Sequence, residues 1–147
     1  MSRTRTSGFS LVEMAITILV LGMLFAFSIP AFQGITASNN LKGATENLAA
    51  QLRLSREKAM SIQMEQPMHL NPNGLNTDYH IHYPSGFIPA TSRWTLPRGI
   101  TFYSYSDNWA TMLKDGRIDG SGMVILRDER GNRDTVSYLS SGLVLTK

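Results

Sequence analysis

The sequence predicts an α+β protein in which a long N-terminal helix packs on a small antiparallel β-domain of one or two sheets. An apolar run extends from Met14 to Phe32, and apolar residues then recur at helical spacing up to Met64. Beyond Pro67 the chain changes to short segments rich in β-branched and aromatic residues, separated by turn residues. The 147 residues leave room for one core and not two.

The beginning of the chain predicts a short leader followed by a membrane anchor. Residues 1–8 are polar and basic, and residues 9–32 form an apolar segment long enough for a bilayer-spanning helix, which takes about 20 residues. No small-x-small cleavage site follows the apolar run, so we expect the segment to remain part of the protein. Arg3 and Arg5 should hold the amino end in the cytoplasm, with everything after Phe32 across the membrane.

One acidic residue, Glu13, lies just inside this apolar segment. An ionised acid in the middle of a membrane costs about 2.5–3.5 kcal/mol even on insertion scales, so such a residue usually has a partner and a role. The alternative is a glutamate that merely reaches the headgroups at the membrane surface. We therefore treat Glu13 as a candidate functional residue.

Two residues interrupt the helical pattern near the end of the apolar segment. Pro30 removes a backbone donor and crowds the preceding turn, and Gly34 adds local freedom, so we expect a kink or a short melted stretch there. Residues 33–66 predict an amphipathic continuation of the helix, which Pro67 ends. The predicted buried stripe consists of Leu41, Ala44, Leu48, Leu52, Ser55, Ala59 and Ile62.

The remaining residues, 67–147, predict a β-rich domain. Its predicted strands are Met68–Leu70, Tyr79–Tyr83, Arg93–Leu96, Ile100–Tyr105, Met123–Arg127, Thr135–Leu139 and Leu143–Thr146. Clusters of glycine, proline, asparagine and aspartate between them are typical of turns. The stretch from Arg127 to Arg133 predicts a hairpin connection. Strands that follow a helix in this way predict one antiparallel sheet or two small ones.

Composition excludes several classes of chemistry. The chain has no cysteine, which rules out disulfides, a thiol nucleophile and thiolate metal ligands. It contains no Gly-x-Ser-x-Gly elbow or other positioned nucleophile, so we predict no catalytic residue, no cofactor and no enzyme activity. The formal net charge of +3 includes Arg3 and Arg5, so the body of the chain is nearly neutral. That balance gives no general electrostatic reason to bind nucleic acid.

Two groups of residues raise the question of a metal. His80 and His82 alternate, so in a strand they point to one face, where His69 is a candidate third ligand for zinc. The second group lies among glycines and consists of Asp107, Asp115, Asp119 and Asp128. Such carboxylates suit calcium. The interpretation we favour is a polar strand face for the histidines and solvated turns for the aspartates, with no metal site.

Basic side chains form two clusters that suit phosphate groups. The cluster at the end of the amphipathic helix consists of Arg53, Arg56 and Lys58. The cluster around the predicted hairpin turn consists of Arg127, Arg130 and Arg133. Contact with DNA is therefore an alternative function, although Asp128, Glu129 and Asp134 dilute the charge of the hairpin.

The hexapeptide Gly8-Phe9-Ser10-Leu11-Val12-Glu13 closely resembles the processing site of type IV pilins and type II secretion pseudopilins. The resemblance implies a pilin-like fold and cleavage after Gly8 by a membrane prepilin peptidase, which methylates the new amino terminus at Phe9. It makes Glu13 the residue that sets the register of a newly added subunit. Cleavage exposes a cationic amine at Phe9, which lies on the same helix face as Glu13 and suits pairing with it.

Further stretches resemble a narrower group. The segments Glu46–Ala59 and Gln66–Leu70, and the C-terminal segments from Asp115 onwards, are similar to those of H-type minor pseudopilins and FimT-like minor pilins. The resemblance implies a structural subunit of a periplasmic pseudopilus involved in protein export. Its implied partners are other pseudopilins or pilins, bound through the N-terminal helix, and the secretion or pilus assembly platform. The implied location is the bacterial inner membrane, crossed once, with the C-terminal domain in the periplasm.

The alternative within this resemblance is a FimT-like minor type IV pilin that acts in pilus assembly or in DNA binding and uptake. FimT-like minor pilins bind DNA through basic residues near the C terminus. Here the segment after Gly142 is apolar, and Lys147 is its only basic residue. This departure favours the pseudopilin function and leaves DNA as the secondary prediction for a partner.

Overall fold

The computed structural model describes residues 10–71, 74–82 and 92–147, and for residues 27–35 it describes the backbone alone. Within these ranges one helix is followed by eight strands, which confirms the predicted α+β architecture. The elements are α1 (Leu11–Ile62), β1 (Gln66–Leu70), β2 (Asp78–Ile81), β3 (Arg93–Thr95), β4 (Ile100–Tyr105), β5 (Trp109–Met112), β6 (Gly122–Asp128), β7 (Arg133–Tyr138) and β8 (Val144–Thr146). By its contacts the chain divides into two compact units, Met1–Thr36 and Ala37–Lys147.

In the first unit, the large apolar side chains of α1 between Leu11 and Phe25 are exposed, from 47% at Leu21 to 86% at Leu11. Among the described residues, no helix contains a stretch that is both long and apolar enough to cross a membrane. The predicted membrane segment is 9–32. Residue 9 and the side chains of residues 27–32 lie outside the part of the chain that the structure describes.

The backbone of α1 is helical at both Pro30 and Gly34. A proline inside a helix removes one backbone hydrogen bond. Here the helix continues on both sides of the proline. The short melted stretch predicted here is therefore absent from this structure. The kink at Pro30 and Gly34 stays a prediction.

The helix ends at Ile62, earlier than the end predicted at Pro67. Gln63 adopts a left-handed conformation with a φ of 54°, and the Met64 amide donates to the carbonyl oxygen of Ala59 at 3.2 Å. This geometry closes the last helical turn in the way that glycine usually does. Pro67 is instead the second residue of β1. Because the capping residue is not a glycine, the sequence carries little signal for the true boundary.

The strands form two antiparallel sheets of four strands each. Sheet A has the order β3-β2-β1-β5, and sheet B has the order β4-β6-β7-β8. The predicted hairpin is confirmed, because Arg127 at the end of β6 and Arg133 at the start of β7 are Cα partners. Seven of the eight strands were expected from the sequence, with ends that agree to within two residues.

The strand β5, Trp109–Met112, is the one that the sequence did not predict. It has only four residues and lies between turn residues, so its alternation of apolar and polar side chains is too short to recognise. In the structure it completes sheet A by pairing with β1, and its Ala110 and Met112 side chains are fully buried.

One stripe of α1 and the inner faces of both sheets share a single apolar core. The buried apolar residues of the stripe are Leu41, Ala44, Leu48, Ala49, Leu52 and Ala59. Ser55 is also buried, and its hydroxyl donates to the carbonyl oxygen of Gln51 at 2.7 Å. Ile62, the last predicted member, is exposed because the helix ends there. The predicted stripe is therefore confirmed from Leu41 to Ala59.

Two arginines fasten α1 to the C-terminal part of the chain. Arg53 Nη2 donates to the carbonyl oxygen of Val144 at 2.8 Å, and Arg56 Nε donates to the carbonyl oxygen of Gly116 at 2.6 Å. Gly142 has a φ of 88° and packs so closely that a Cβ atom there would meet Gly116 and Arg56. Arg53 and Arg56 therefore have a structural role in place of the phosphate contact considered from the sequence.

We predict that Gly142→Ala lowers the thermal unfolding midpoint far more than Gly131→Ala. Both glycines have a φ of 88°, so both substitutions introduce about 1–2 kcal/mol of backbone strain. Position 131 has open space for the methyl group, whereas position 142 has none, and the crowding should add about 1–3 kcal/mol. Circular dichroism of the full-length chain in detergent measures the midpoints. Equal losses in the two variants would contradict the close packing at Gly142.

Candidate functional site

The amino end of α1 holds Glu13 in a reciprocal cap. The Ser10 amide donates to Glu13 Oε2 at 2.9 Å, and the Glu13 amide donates to Ser10 Oγ at 3.2 Å. This capping box satisfies two of the donors that the first helical turn leaves unpaired. The Thr17 hydroxyl also donates to the carbonyl oxygen of Glu13 at 2.7 Å. The Glu13 carboxylate is therefore directed back towards the start of the helix.

The capping box is a structural feature that the sequence analysis missed, although the pattern Ser-x-x-Glu predicts it. The predicted partner of Glu13 is the amine that cleavage creates at Phe9. Gly8 and Phe9 lie outside the described residues. The cleavage site and the pairing that sets the register therefore stay predictions, while the orientation of Glu13 is a structural observation.

Two arginines and a tyrosine form an exposed group on sheet B, which we call the Arg–Tyr cluster. Arg127 and Arg133 are Cα partners on β6 and β7, and their guanidinium carbons lie 5.0 Å and 4.0 Å from the centroid of the Tyr103 ring. Two like charges directly opposite each other repel, and contact with the aromatic face offsets part of that repulsion. The third predicted residue, Arg130, lies in the turn between the two strands.

Two of the three acidic residues of the hairpin, Asp128 and Asp134, accept hydrogen bonds from neighbouring residues. The buried Asp128 carboxylate accepts from the Asn132 side chain at 2.8 Å and from the backbone amides of Asn132 and Arg130 at 2.8 Å and 3.0 Å. Burial alone would raise the pKa of Asp128, but these hydrogen bonds outweigh it and hold the pKa below its usual value. Asp134 accepts from the Thr135 amide at 2.9 Å. Within the described ranges, neither arginine of the Arg–Tyr cluster pairs with a carboxylate.

A row of side chains crosses the outer face of sheet A, one from each strand. Arg93, His80, His69 and Trp109 are successive Cα partners on β3, β2, β1 and β5. The His69 ring stacks on Trp109 with a centroid separation of 4.0 Å and meets the His80 ring edge-on at 5.4 Å. His82 lies beside this row, 6.2 Å from His80.

His80 is only 4% exposed, and neither of its ring nitrogens has a hydrogen-bond partner in the described part of the chain. Burial lowers the pKa of His80, and the positive charges of His69, Arg93 and His82 lower it further, against a small opposing effect of Asp78. Burial, followed by His82, also lowers the pKa of His69. Both imidazoles are therefore favoured in the neutral form.

The sequence raised two metal alternatives, zinc at the histidines and calcium at the aspartates. Over the residues that the structure describes, no group of three histidine or acidic side chains is arranged to hold a metal ion. The aspartates serve separate turns: Asp107 accepts from the Trp109 amide at 3.1 Å, and Asp115 pairs with Arg117 at 2.8 Å. The hydrogen bonds of Asp115 to Arg117 keep its pKa below the usual value.

The long N-terminal helix with two small antiparallel sheets defines a pilin-like fold, as the sequence predicts. The chain is similar to the type IV minor pilin FimU of Pseudomonas aeruginosa, with a TM-score of 0.63 and 18% identity over 77% of this chain and 92% of that one. It is also similar to the minor pseudopilin EpsH from the type 2 secretion system of Vibrio cholerae, with a TM-score of 0.58 and 11% identity over 74% of this chain and 96% of that one. At these identities the likeness shows a common fold. No protein-family model and no curated protein matches the sequence.

We predict that the folded domain loses stability as the pH falls from about 7.5 to about 5. Because the pKa values of His69 and His80 are lowered in the folded state, the unfolded chain binds more protons in this window, and stability falls with pH. Their contribution is complete above the unfolded value of about 6.5 and is lost below it. The thermal unfolding midpoint of the full-length chain, measured across the window, tests this.

The matched variant for the pH experiment is His80→Phe. It keeps a ring of similar size, removes two buried nitrogens that lack hydrogen bonds, and should unfold at the same or a higher temperature near neutral pH. Its midpoint should fall less steeply with pH than that of the natural sequence. Two results would contradict the predicted effect of the histidines on stability. One is a midpoint that stays constant down to pH 5 in the natural sequence, and the other is an equal change of the midpoint with pH in the two proteins.

Proposed function

We propose that the chain is a minor pseudopilin of a type II secretion system, a structural subunit of a periplasmic pseudopilus involved in protein export. It is made with the leader 1–8, inserted in the bacterial inner membrane through residues 9–32, and cut after Gly8 by a prepilin peptidase. It then joins other pseudopilins through its helix on the assembly platform. The pilin-like fold and the resemblance at the processing site support this proposal.

The observation that carries the proposal is the exposed apolar surface of α1 in the first unit. Every described side chain from Leu11 to Ala26 is exposed, and the large apolar side chains among them lie on all faces of the helix. A monomer in water rarely leaves such a patch uncovered, and a helix that is apolar all round needs apolar surroundings. Lipid before assembly and neighbouring helices after assembly supply them.

Glu13 sets the axial register in this proposal. Its carboxylate is directed towards the start of the helix by the Ser10 cap, which is where cleavage creates the Phe9 amine. In apolar surroundings a carboxylate needs a cation, and a subunit that enters the filament at the wrong height leaves Glu13 without one. The charge pair therefore selects one position among many along otherwise uniform apolar helices.

A minor type IV pilin with a DNA contact is the second candidate, and the Arg–Tyr cluster favours it. The cluster presents two guanidinium groups and an aromatic ring on one exposed surface, which suits phosphates and bases of nucleic acid. Arg130 adds a third positive charge in the adjacent turn. The fold shared with FimU, which is a type IV minor pilin, is compatible with this candidate.

We predict that Glu13→Gln strongly reduces incorporation of the subunit into filaments. Glutamine can still form the capping box with Ser10, so the variant removes the charge and keeps the helix start. Loss of the ion pair in apolar surroundings should reduce incorporation at least about tenfold, which corresponds to about 1.4 kcal/mol. The amount of subunit that co-purifies with sheared filaments, compared with the amount in membranes, measures the effect.

The control for the Glu13 experiment is Ser10→Ala. This variant loses the Oγ acceptor of the cap but keeps the Glu13 charge, so it should enter filaments at close to the natural level. Incorporation of Glu13→Gln at the natural level would remove the register role. Normal incorporation of the glutamine variant together with failure of Ser10→Ala would show that the cap matters and the charge does not.

For the second candidate, we predict a salt-dependent shift of duplex DNA by the full-length chain in a zwitterionic detergent. Replacing both Arg127 and Arg133 with glutamine should abolish the shift near physiological salt. It should also lower the slope of log affinity against log salt by about 2, because each phosphate contact contributes about 0.9. Arg117→Gln is the control, since that arginine already pairs with Asp115. No shift even at low salt would exclude DNA as a partner.

A further inference from the structure

A cleft of about 510 Å³ lies between the second-unit part of α1 and the segment that contains β3. Its volume is within the range of about 300–1,000 Å³ that is typical of small-molecule sites. The helix contributes Asn39, Asn40, Gly43, Ala44 and Asn47, and the sheet side contributes Tyr79, Arg93, Trp94, Thr95, Leu96 and Pro97. All these residues belong to the unit Ala37–Lys147.

The helix wall of the cleft is made of residues that weaken a helix. Asn39, Gly43 and Asn47 are spaced by four positions and lie along one ridge, with Asn40 beside them. Glycine is about 1 kcal/mol and asparagine several tenths of a kcal/mol less favourable than alanine inside a helix. All four are exposed, so they contribute nothing to the core. These four residues therefore lower the helix propensity without contributing to the core, and their polar groups face the cleft.

The amide groups on this wall are available for a ligand. The side chains of Asn39, Asn40 and Asn47 make no hydrogen bond to any part of the chain that the structure describes. Each amide offers two donors and one acceptor oxygen. Gly43, which has no side chain and no atom within 4 Å of the place where a Cβ would lie, leaves a gap in the ridge between them.

The opposite wall presents an aromatic surface. The Trp94 ring is half-buried and lies 5.5 Å from the buried Tyr79 ring at an interplanar angle of 25°, so the stack holds the indole in place. Arg93 and Thr95, which flank Trp94 on β3, are exposed at the border of the cleft, and their side chains point to the opposite face of the strand. No carboxylate is among the described lining residues, so the site does not suit a cation.

We propose that this cleft binds a neutral oligosaccharide. A sugar ring has a flat face of C–H groups, which packs on an aromatic ring, and a rim of hydroxyl groups that both donate and accept hydrogen bonds. Trp94 supplies the aromatic surface, and the asparagine amides supply matching donors and acceptors. An extended peptide would need side-chain pockets at alternate positions, whereas the described lining offers one flat aromatic surface. This binding does not depend on the proposed role in a filament.

The binding is tested by the fluorescence of Trp94 in the full-length chain. The chain has two tryptophans, so Trp109→Phe leaves Trp94 as the only emitter. The protein is kept in a detergent without a sugar headgroup, and the probes are chitotriose and maltotriose. The proposal predicts a saturable change in emission with at least one trisaccharide. It predicts that Asn39→Ala and Asn47→Ala each weaken the affinity by roughly 3- to 10-fold, as expected for loss of one hydrogen bond.

A second pair of variants separates the cleft from other surfaces. Gly43→Leu adds a side chain where the position of the Cβ atom is open, and leucine favours the helix, so the variant should fold normally and abolish the change in emission. Ala50→Leu adds the same side chain at an exposed position of α1 outside the cleft and should leave binding unaltered. The proposal is wrong if neither trisaccharide alters the emission up to about 10 mM, or if Gly43→Leu still binds. A response to tri-alanine without a response to either sugar would also overturn it.

Discussion

Burial of one stripe of α1 against both sheets is the contact on which the rest of the domain depends. Sheets A and B share no strand, and their inner faces meet in one core with the helix. Each fully buried leucine of the stripe, such as Leu48 or Leu52, contributes about 1.5–3 kcal/mol. An exposed ion pair such as Arg117–Asp115 adds little stability, because water screens the two charges. Apolar packing therefore holds the domain together.

The two units of the chain present different surfaces. In the proposed function, the exposed apolar side chains of the first unit pack against lipid or other helices, and Glu13, the one described charge of that unit, sets their position. In the proposed function, polar features on the surface of the second unit distinguish this subunit from others. The Arg–Tyr cluster and the amide-lined cleft are two such features, and they are independent of each other because they lie on different strands.

Much of this architecture is readable from the sequence where a pattern repeats. Strands such as β4 and β6 alternate for six or seven residues, and the helical stripe repeats over five turns, so both were predicted. The strand β5 has four residues, and the helix end at Ile62 is closed by Gln63, so neither leaves a clear signal. The Arg–Tyr cluster depends on Tyr103 from β4 meeting the hairpin arginines, and the histidine row depends on the register of four strands. Such long-range pairings cannot be derived from local spacing.

The central claim is that the chain becomes a filament subunit through cleavage after Gly8 and pairing of the new terminus with Glu13. The most direct measurement is the mass of the N-terminal peptide of the chain purified from membranes that contain a prepilin peptidase. The account predicts a peptide that begins with N-methylated Phe9, and an unprocessed leader when Gly8 is replaced by a bulky residue. An intact leader in the natural chain, cleavage at another bond, or normal processing of the Gly8 variant would contradict it.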